Sequence, residues 1–359
     1  MNFPAYTPPF HLNNGIAMTS YIALRARHNW QRTVRYDAPP EREEHFIGAG
    51  NTPIYGRVAI PKHPKGTFIA TYGIVGSLDD QWYLHLLTRK AYHRGYAVVT
   101  FDWRAHGRTG QLSPTLSSDG LYEGEDYLRI AARALELGCP APIWFSGYSL
   151  SGQLALWGVR IAETEPHRIA DLDNDRDVLD ALAGAAVICP SVDSTRSLRY
   201  LMSHPVGRYM EKAIVRQLKK LLHDLHREHP HAIARDAIRR ADSIWGFDRE
   251  FVIPRLGFDS VEAYYAASSP LPWLGQLQHP TLILYAADDP LFAPDVLGDL
   301  KPICYANSAI DFVLTERGGH VGYLASKHCQ QQSGDDDRWW AWNRILAWCS
   351  EISRDRAVI

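Results

Sequence analysis

A chain of 359 residues with 46% hydrophobic and 22% charged residues is globular in make-up and large enough for one big domain with an insertion, or for two domains. Its formal net charge of -2 leaves no basic footprint for nucleic acid. No apolar run reaches the roughly 18 residues of a spanning helix, and Met1-Asn2-Phe3-Pro4 lacks the basic start of a signal peptide, so a cytoplasmic protein is expected, with peripheral lipid contact as its one relation to membranes.

The five cysteines, Cys139, Cys189, Cys304, Cys329 and Cys349, are scattered and odd in number, with no Cys-x-x-Cys spacing. They read as buried free thiols, and neither a metal nor a cofactor is expected.

Residues 1–52 are rich in Pro, Asn and Arg and read as an N-terminal arm, with a strand near residues 21–24. Strands are expected at 53–60 and 67–71, with Pro61 and Pro64 in the turn between them, as a hairpin at one sheet edge. Tyr72-Gly73-Ile74-Val75-Gly76-Ser77 follows, a glycine turn that can bring backbone amides close to a ligand. A helix over 80–94 leads to an almost wholly apolar strand at 96–101, the density of a strand covered on both faces. It ends in Asp102-Trp103-Arg104-Ala105-His106-Gly107-Arg108, where His106 reads as a structural histidine in a tight turn. A helix over 122–137 comes next.

Ile143, Trp144 and Phe145 then form a short buried-strand signal that stops at Ser146-Gly147, and Leu150, Leu154 and Trp157 fall on one helical face directly afterwards. A strand that becomes a helix within about three residues bends sharply, and Ser149 stands at the bend. Gly147 and Ser151, two places to either side, are small enough for strand and helix to approach. This is the pattern of a nucleophile elbow.

Asp171-Leu172-Asp173-Asn174-Asp175-Arg176-Asp177 has the alternating carboxylates of a calcium loop but places Arg176 at the glycine position and Leu182 at the bidentate glutamate, so it reads as a solvated acidic loop. A strand at 183–189 follows. Residues 191–274 break the alternation: Met210, Ile214, Leu218, Leu221, Leu222 and Leu225 recur at helical spacing. Lys212, Arg216, Lys219 and Lys220 read as a solvated face of that helix, and His223, His226, His229 and His231 show no paired metal-ligand spacing. The segment is expected to form a helical cap beside the serine. Strands return at 280–285 and Ile310–Thr315, ending respectively in Asp288-Asp289-Pro290 and Gly318-Gly319-His320-Val321-Gly322, and a tryptophan-rich helix closes the chain.

Acyl transfer by a serine needs a base and a carboxylate that orients the base. The order Ser149, Asp, His320, each at a strand's C-terminal end, supplies both. Of the two carboxylates Asp289 is chosen, three residues after Ala286 and directly before Pro290, with Asp288 the other candidate. The Ile74 and Leu150 amides are the expected oxyanion hole.

These landmarks, with Tyr6 to Asn14, Arg104-Ala105-His106-Gly107 and Phe258-Asp259-Ser260-Val261-Glu262-Ala263-Tyr264-Tyr265, resemble the alpha/beta-hydrolases. Within them the chain is similar to the YheT-like group that includes the mammalian ABHD1, ABHD2 and ABHD3 type and the yeast medium-chain ester synthase/esterases. The resemblance implies an α/β fold, a doubly wound and mostly parallel sheet with an inserted helical cap, and a serine hydrolase or acyltransferase acting on fatty-acyl esters in lipid metabolism. Two residues depart from the pattern: Tyr72 stands where a histidine is usual, and Ser151 where a glycine is usual.

The expected organisation is an arm over 1–52, a hydrolase core over 53–190 and 275–359, and a cap over 191–274. The expected function is hydrolysis of a small-molecule acyl ester through Ser149, His320 and Asp289 and an acyl-enzyme. Acyl transfer to an alcohol, or a non-catalytic binding protein on the same fold, are the alternatives.

Overall fold

The structure, a computed structural model, describes residues 3–356. Met1 and Asn2, part of the stretch read for a leader, lie outside the described residues. Among those described, eight strands form one sheet: β1 Arg42–Ile47, β2 Pro53–Ala59, β3 Thr67–Ala70, β4 Ala97–Phe101, β5 Ile143–Tyr148, β6 Leu182–Ile188, β7 Thr281–Ala286 and β8 Ile310–Thr315. Their spatial order is β1-β2-β4-β3-β5-β6-β7-β8. Pairs from β4 onward are parallel, while β1–β2 and β2–β4 are antiparallel.

Every residue of β3, β4, β5, β6 and β7 is buried, as the unbroken apolar runs require of strands with helices on both faces. The helices Trp82–His93, Glu123–Glu136 and Leu150–Thr164 connect them and share their apolar core. β3 pairs with β4 on one side and β5 on the other, so the chain reverses its direction across the sheet at this point. Such a reversal opens a crevice beyond the C-terminal strand ends.

Two expectations fail. Residues 21–24 are helical, not extended: Asn14 caps the helix Gly15–Tyr21 by accepting from the Ala17 amide at 2.8 Å, and Ile22–Ala26 continues it as a π turn. Met18, Ile22 and Ala26 are all buried, a spacing of four that places them on one helical face. The hairpin is also different. β2 pairs with β1 and β4, so β3 is an inner strand. β1 escaped notice because its Arg-Glu-Glu-His run buries only Phe46, the polar habit of an edge strand.

Between β6 and β7 the chain is helical, chiefly in Ser194–Ser203, Pro205–Glu228 and Val261–Ser268. Leu222 and Leu225 of the long helix join Ala105 and Leu116 in an apolar cluster that fastens this insertion to loops of the core.

A buried ion pair ties three core elements together. Arg104 donates to both Asp126 oxygens at 2.7 and 2.8 Å and to the Ala49 carbonyl at 2.8 Å, while the Ala49 amide donates to Asp126. Removing one partner strands the other charge in the interior. Asp126→Ala is expected to lower unfolding free energy by about 3 to 5 kcal/mol, read as a fall in the urea midpoint at unchanged slope.

Candidate active site

At the end of β5 the backbone of Ser149 takes φ 57° and ψ -124°, and the helix Leu150–Thr164 starts at the next residue. This strained conformation is held from both sides: the Ser149 amide donates to Ile188 O at 3.0 Å and its carbonyl accepts from the amides of Gly152 and Ser191. The helix passes so close to the strand that a Cβ on Gly147 would lie 2.0 Å from the Ser151 carbonyl oxygen. Leu150 is the first helical residue, so its amide has no partner within the helix.

The loop after β3 comes alongside. The register Ala70 to Ser146 sets the ends of β3 and β5 side by side, and a Cβ on Gly73 would lie 3.2 Å from Ser149 Cβ. The Gly73 amide donates to the Tyr83 hydroxyl at 3.2 Å, whereas the Ile74 amide makes no hydrogen bond among the described residues. Both departures from the family pattern brace this loop. The buried Tyr72 hydroxyl donates to Asp102 Oδ1 at 2.5 Å, and Asp102 also accepts from the amides of Leu78 and Arg108. Burial raises the Asp102 carboxyl above its ordinary range, although these donors oppose the rise. Ser151 Oγ accepts from the Tyr148 amide at 2.8 Å and shares its proton between the carbonyls of Thr71 and Tyr148. One hydroxyl thus joins the elbow to the loop.

The acid and the imidazole meet across β7 and β8. His320 Nδ1 lies 2.8 Å from Asp289 Oδ2, and Asp289 Oδ1 accepts from the Leu291 amide at 2.9 Å. Asp288 turns away: its Oδ1 accepts from Gly319 N at 2.9 Å and its Oδ2 faces Arg317 at 3.9 Å. Phe292 packs its ring at 88° to the imidazole, 5.1 Å between centroids. Cys189 Sγ also lies in this group, within 4.8 Å of the nearest ligand atoms of Asp289 and His320. Burial and then the Asp289 charge push that thiol far up, so it stays protonated and makes a poor metal ligand.

Ser149, Ile74, Leu150 and Phe292 line one cleft between the core and the insertion. The structure therefore gathers Ser149 with both amides, and His320 with Asp289. No hydrogen bond joins Ser149 to His320 in this conformer, and Phe292 touches both the cleft and the imidazole.

The N-terminal segment supports the histidine from behind, a role the sequence did not suggest. Thr19 Oγ1 accepts from the His320 amide at 2.8 Å. Gly15 lies against the Asp288 carbonyl and Met18 against Gly322, each too close for a Cβ on the glycine. The Asn14 cap is the local signal that marks this helix.

The alpha/beta hydrolase family pattern matches residues 73–328, which include all five of these site residues. The chain belongs to the alpha/beta hydrolase family. A Synechocystis protein named "Putative esterase slr0264" is 50% identical over 98% of this chain and 96% of its own length. The human protein named "Phospholipase ABHD3" is 24% identical over 72% of this chain and 59% of its own. Among solved structures, the Pyrococcus furiosus esterase Pf2001 superposes with a TM-score of 0.52 at 13% identity, covering 96% of this chain and 99% of that one. A Pyrococcus horikoshii acylaminoacyl peptidase gives 0.52 at 13% identity over 91% of this chain, which spans 43% of the peptidase. At such identities the solved structures speak for the fold alone. No helix among the hydrolase's described residues is long and apolar enough to cross a membrane.

Ser151→Ala would leave the buried Tyr148 amide and Thr71 carbonyl without this partner. The expected cost is about 1 to 3 kcal/mol of stability, read by urea denaturation of the hydrolase; Ser151→Thr, which keeps the hydroxyl, is expected to lose less.

Proposed function

We propose that this hydrolase cleaves carboxylic esters of small molecules with an acyl chain, through Ser149 as nucleophile, His320 as base and Asp289 as the group that orients the imidazole. The observation that carries the reading is the 2.8 Å contact of His320 Nδ1 with a nearly inaccessible Asp289 carboxylate, at the same sheet edge as a strained serine. That contact fixes the tautomer: Nδ1 keeps its proton and Nε2 carries the free lone pair. The family membership and a half-identical relative named as an esterase point the same way.

Nε2 takes the Ser149 proton as Oγ bonds to the ester carbonyl carbon, and the carbonyl oxygen becomes an oxyanion facing the Ile74 and Leu150 amides. Collapse breaks the carbon–oxygen bond to the alcohol, which leaves with the proton from Nε2. Water, deprotonated by the same nitrogen, then attacks the acyl-enzyme and releases the acid and Ser149. The cleft walls suit an aliphatic chain, with Leu198, Leu201, Ile214, Leu218 and Leu221 contributed by the segment 191–274 that we read as the cap.

Ser149→Ala is expected to abolish hydrolysis of p-nitrophenyl butyrate and octanoate while the far-ultraviolet circular dichroism is unchanged. Asp289→Asn is expected to lower kcat by about 10³ to 10⁴ through the wrong tautomer; full activity in either variant would sink the scheme. Thr19→Val, which loses one hydrogen bond to the histidine loop, is expected to lower kcat about tenfold with little change in KM, and Thr19→Ser to restore it.

A further inference from the structure

The cleft has a second polar station. Asp119, from the core loop before the helix Glu123–Glu136, and Asp248, from the cap, both line it together with Ser149. Gln153, one helical turn beyond Ser149, donates to the Asp119 carbonyl at 2.7 Å, which keeps this station close to the nucleophile. Asp119 sits at φ 50° in the left-handed region, with its amide on Ser117 Oγ at 3.1 Å. Asp248 is 7% exposed; its Oδ2 accepts from the Tyr265 hydroxyl and its Oδ1 has no hydrogen bond among the described residues. Neither carboxyl pairs with a lysine or arginine among those residues.

A buried histidine lines the same cleft. His106 is 4% exposed and lies flat on Trp103, 3.9 Å between centroids. Its Nδ1 donates to the Arg104 carbonyl at 2.8 Å, so in the neutral ring Nε2 is a bare lone pair, and it has no partner. Burial pushes this imidazole down to about 4, so it is neutral at pH 7. The carboxyls move the other way. Burial and Glu123 push Asp119 up to about 7, and burial and the Asp119 charge push Asp248 well up. At neutral pH the station holds protons as well as lone pairs, and it lacks the fixed double charge that would offset dehydration of a cation.

We propose that Asp119 and Asp248 form a recognition station for a hydroxyl group, so that this hydrolase prefers esters with a free hydroxyl a few bonds from the scissile carbonyl. The proposal rests on the ester-cleaving reading above. A hydroxyl both donates and accepts: it can give its proton to Asp248 Oδ1 and accept one from the protonated carboxyl. A substrate without it leaves Asp248 Oδ1 unpaired in the cleft wall, and such a site discriminates far more strongly than an apolar pocket does. The hydroxyl can belong to the alcohol half or to the acyl half of the ester.

The test is kcat/KM of the full chain on matched esters. The alcohol side is read by 2,3-dihydroxypropyl against propyl octanoate, the acyl side by ethyl 3-hydroxyoctanoate against ethyl octanoate, and the cationic alternative by the choline ester of octanoate. We expect at least about a tenfold preference for the hydroxylated member of one pair, shrinking toward unity in Asp248→Leu and less so in Asp248→Asn. Ratios near one in both pairs, a preference that survives Asp248→Leu, or the choline ester outrunning both hydroxylated substrates would overturn the station. If Asp248→Leu does not fold, the wild-type ratios still decide. Turnover of plain esters with no hydroxyl preference removes only this inference; absence of turnover on every ester removes the ester-cleaving reading with it.

Discussion

Strand β5 and the helix that follows it come nearer to one another than side chains allow. At Gly147 a single methyl group would collide with the Ser151 carbonyl, and this crowding forces the turn into which Ser149 is bent. The bend sets Ser149 and the first residue of the helix, Leu150, side by side on the cleft. Ser151 then adds a tie that a glycine could not make, from the elbow to the carbonyl that precedes Tyr72. Ser149, the nucleophile we propose, and the loop that carries the Ile74 amide are thus parts of one braced unit, itself anchored on the buried Asp102.

The imidazole depends on a different set of constraints, drawn from the two ends of the chain. The carboxylate comes from the end of β7 and the histidine from the end of β8, but the histidine loop leans on a helix about 300 residues earlier in sequence. Glycines on both sides make this contact close: Gly15 fits under the Asp288 carbonyl, and Gly319 and Gly322 admit Thr19 and Met18. The N-terminal segment is accordingly part of the framework that holds the His320 loop. The helical insertion between β6 and β7 contributes the opposite wall of the cleft, apolar for most of its extent and polar where Asp248 meets Asp119.

What could be read from residues alone was the local chemistry. The strand-to-helix switch around Ser149, the Asp-Asp-Pro turn and the glycine-flanked His320 each carry their signal within about ten residues, because each is a turn whose backbone geometry restricts residue type. The amphipathic pattern from Met210 to Leu225 likewise lies in one helix, Pro205–Glu228. Non-local relations were not legible. β1 looks like a charged arm because an edge strand keeps its polar residues in water, and missing it made β2 and β3 look like partners. The stretch near Ile22 carries β-branched and aromatic residues that favour strands, yet tertiary packing of Met18, Ile22 and Ala26 decides for helix. Ser151 looked like a tolerated change and Thr19 looked like nothing at all, since each acts through a partner far away in sequence.

The central claim is that one hydroxyl, Ser149 Oγ, is made nucleophilic by an imidazole held by Asp289. Its most direct test is labelling with a fluorophosphonate, followed by peptide mass spectrometry to locate the adduct. The account predicts a single adduct on the peptide bearing Ser149, formed by the native protein and lost in His320→Ala. An adduct on another serine, or labelling of Ser149 at the native rate without His320, would contradict it.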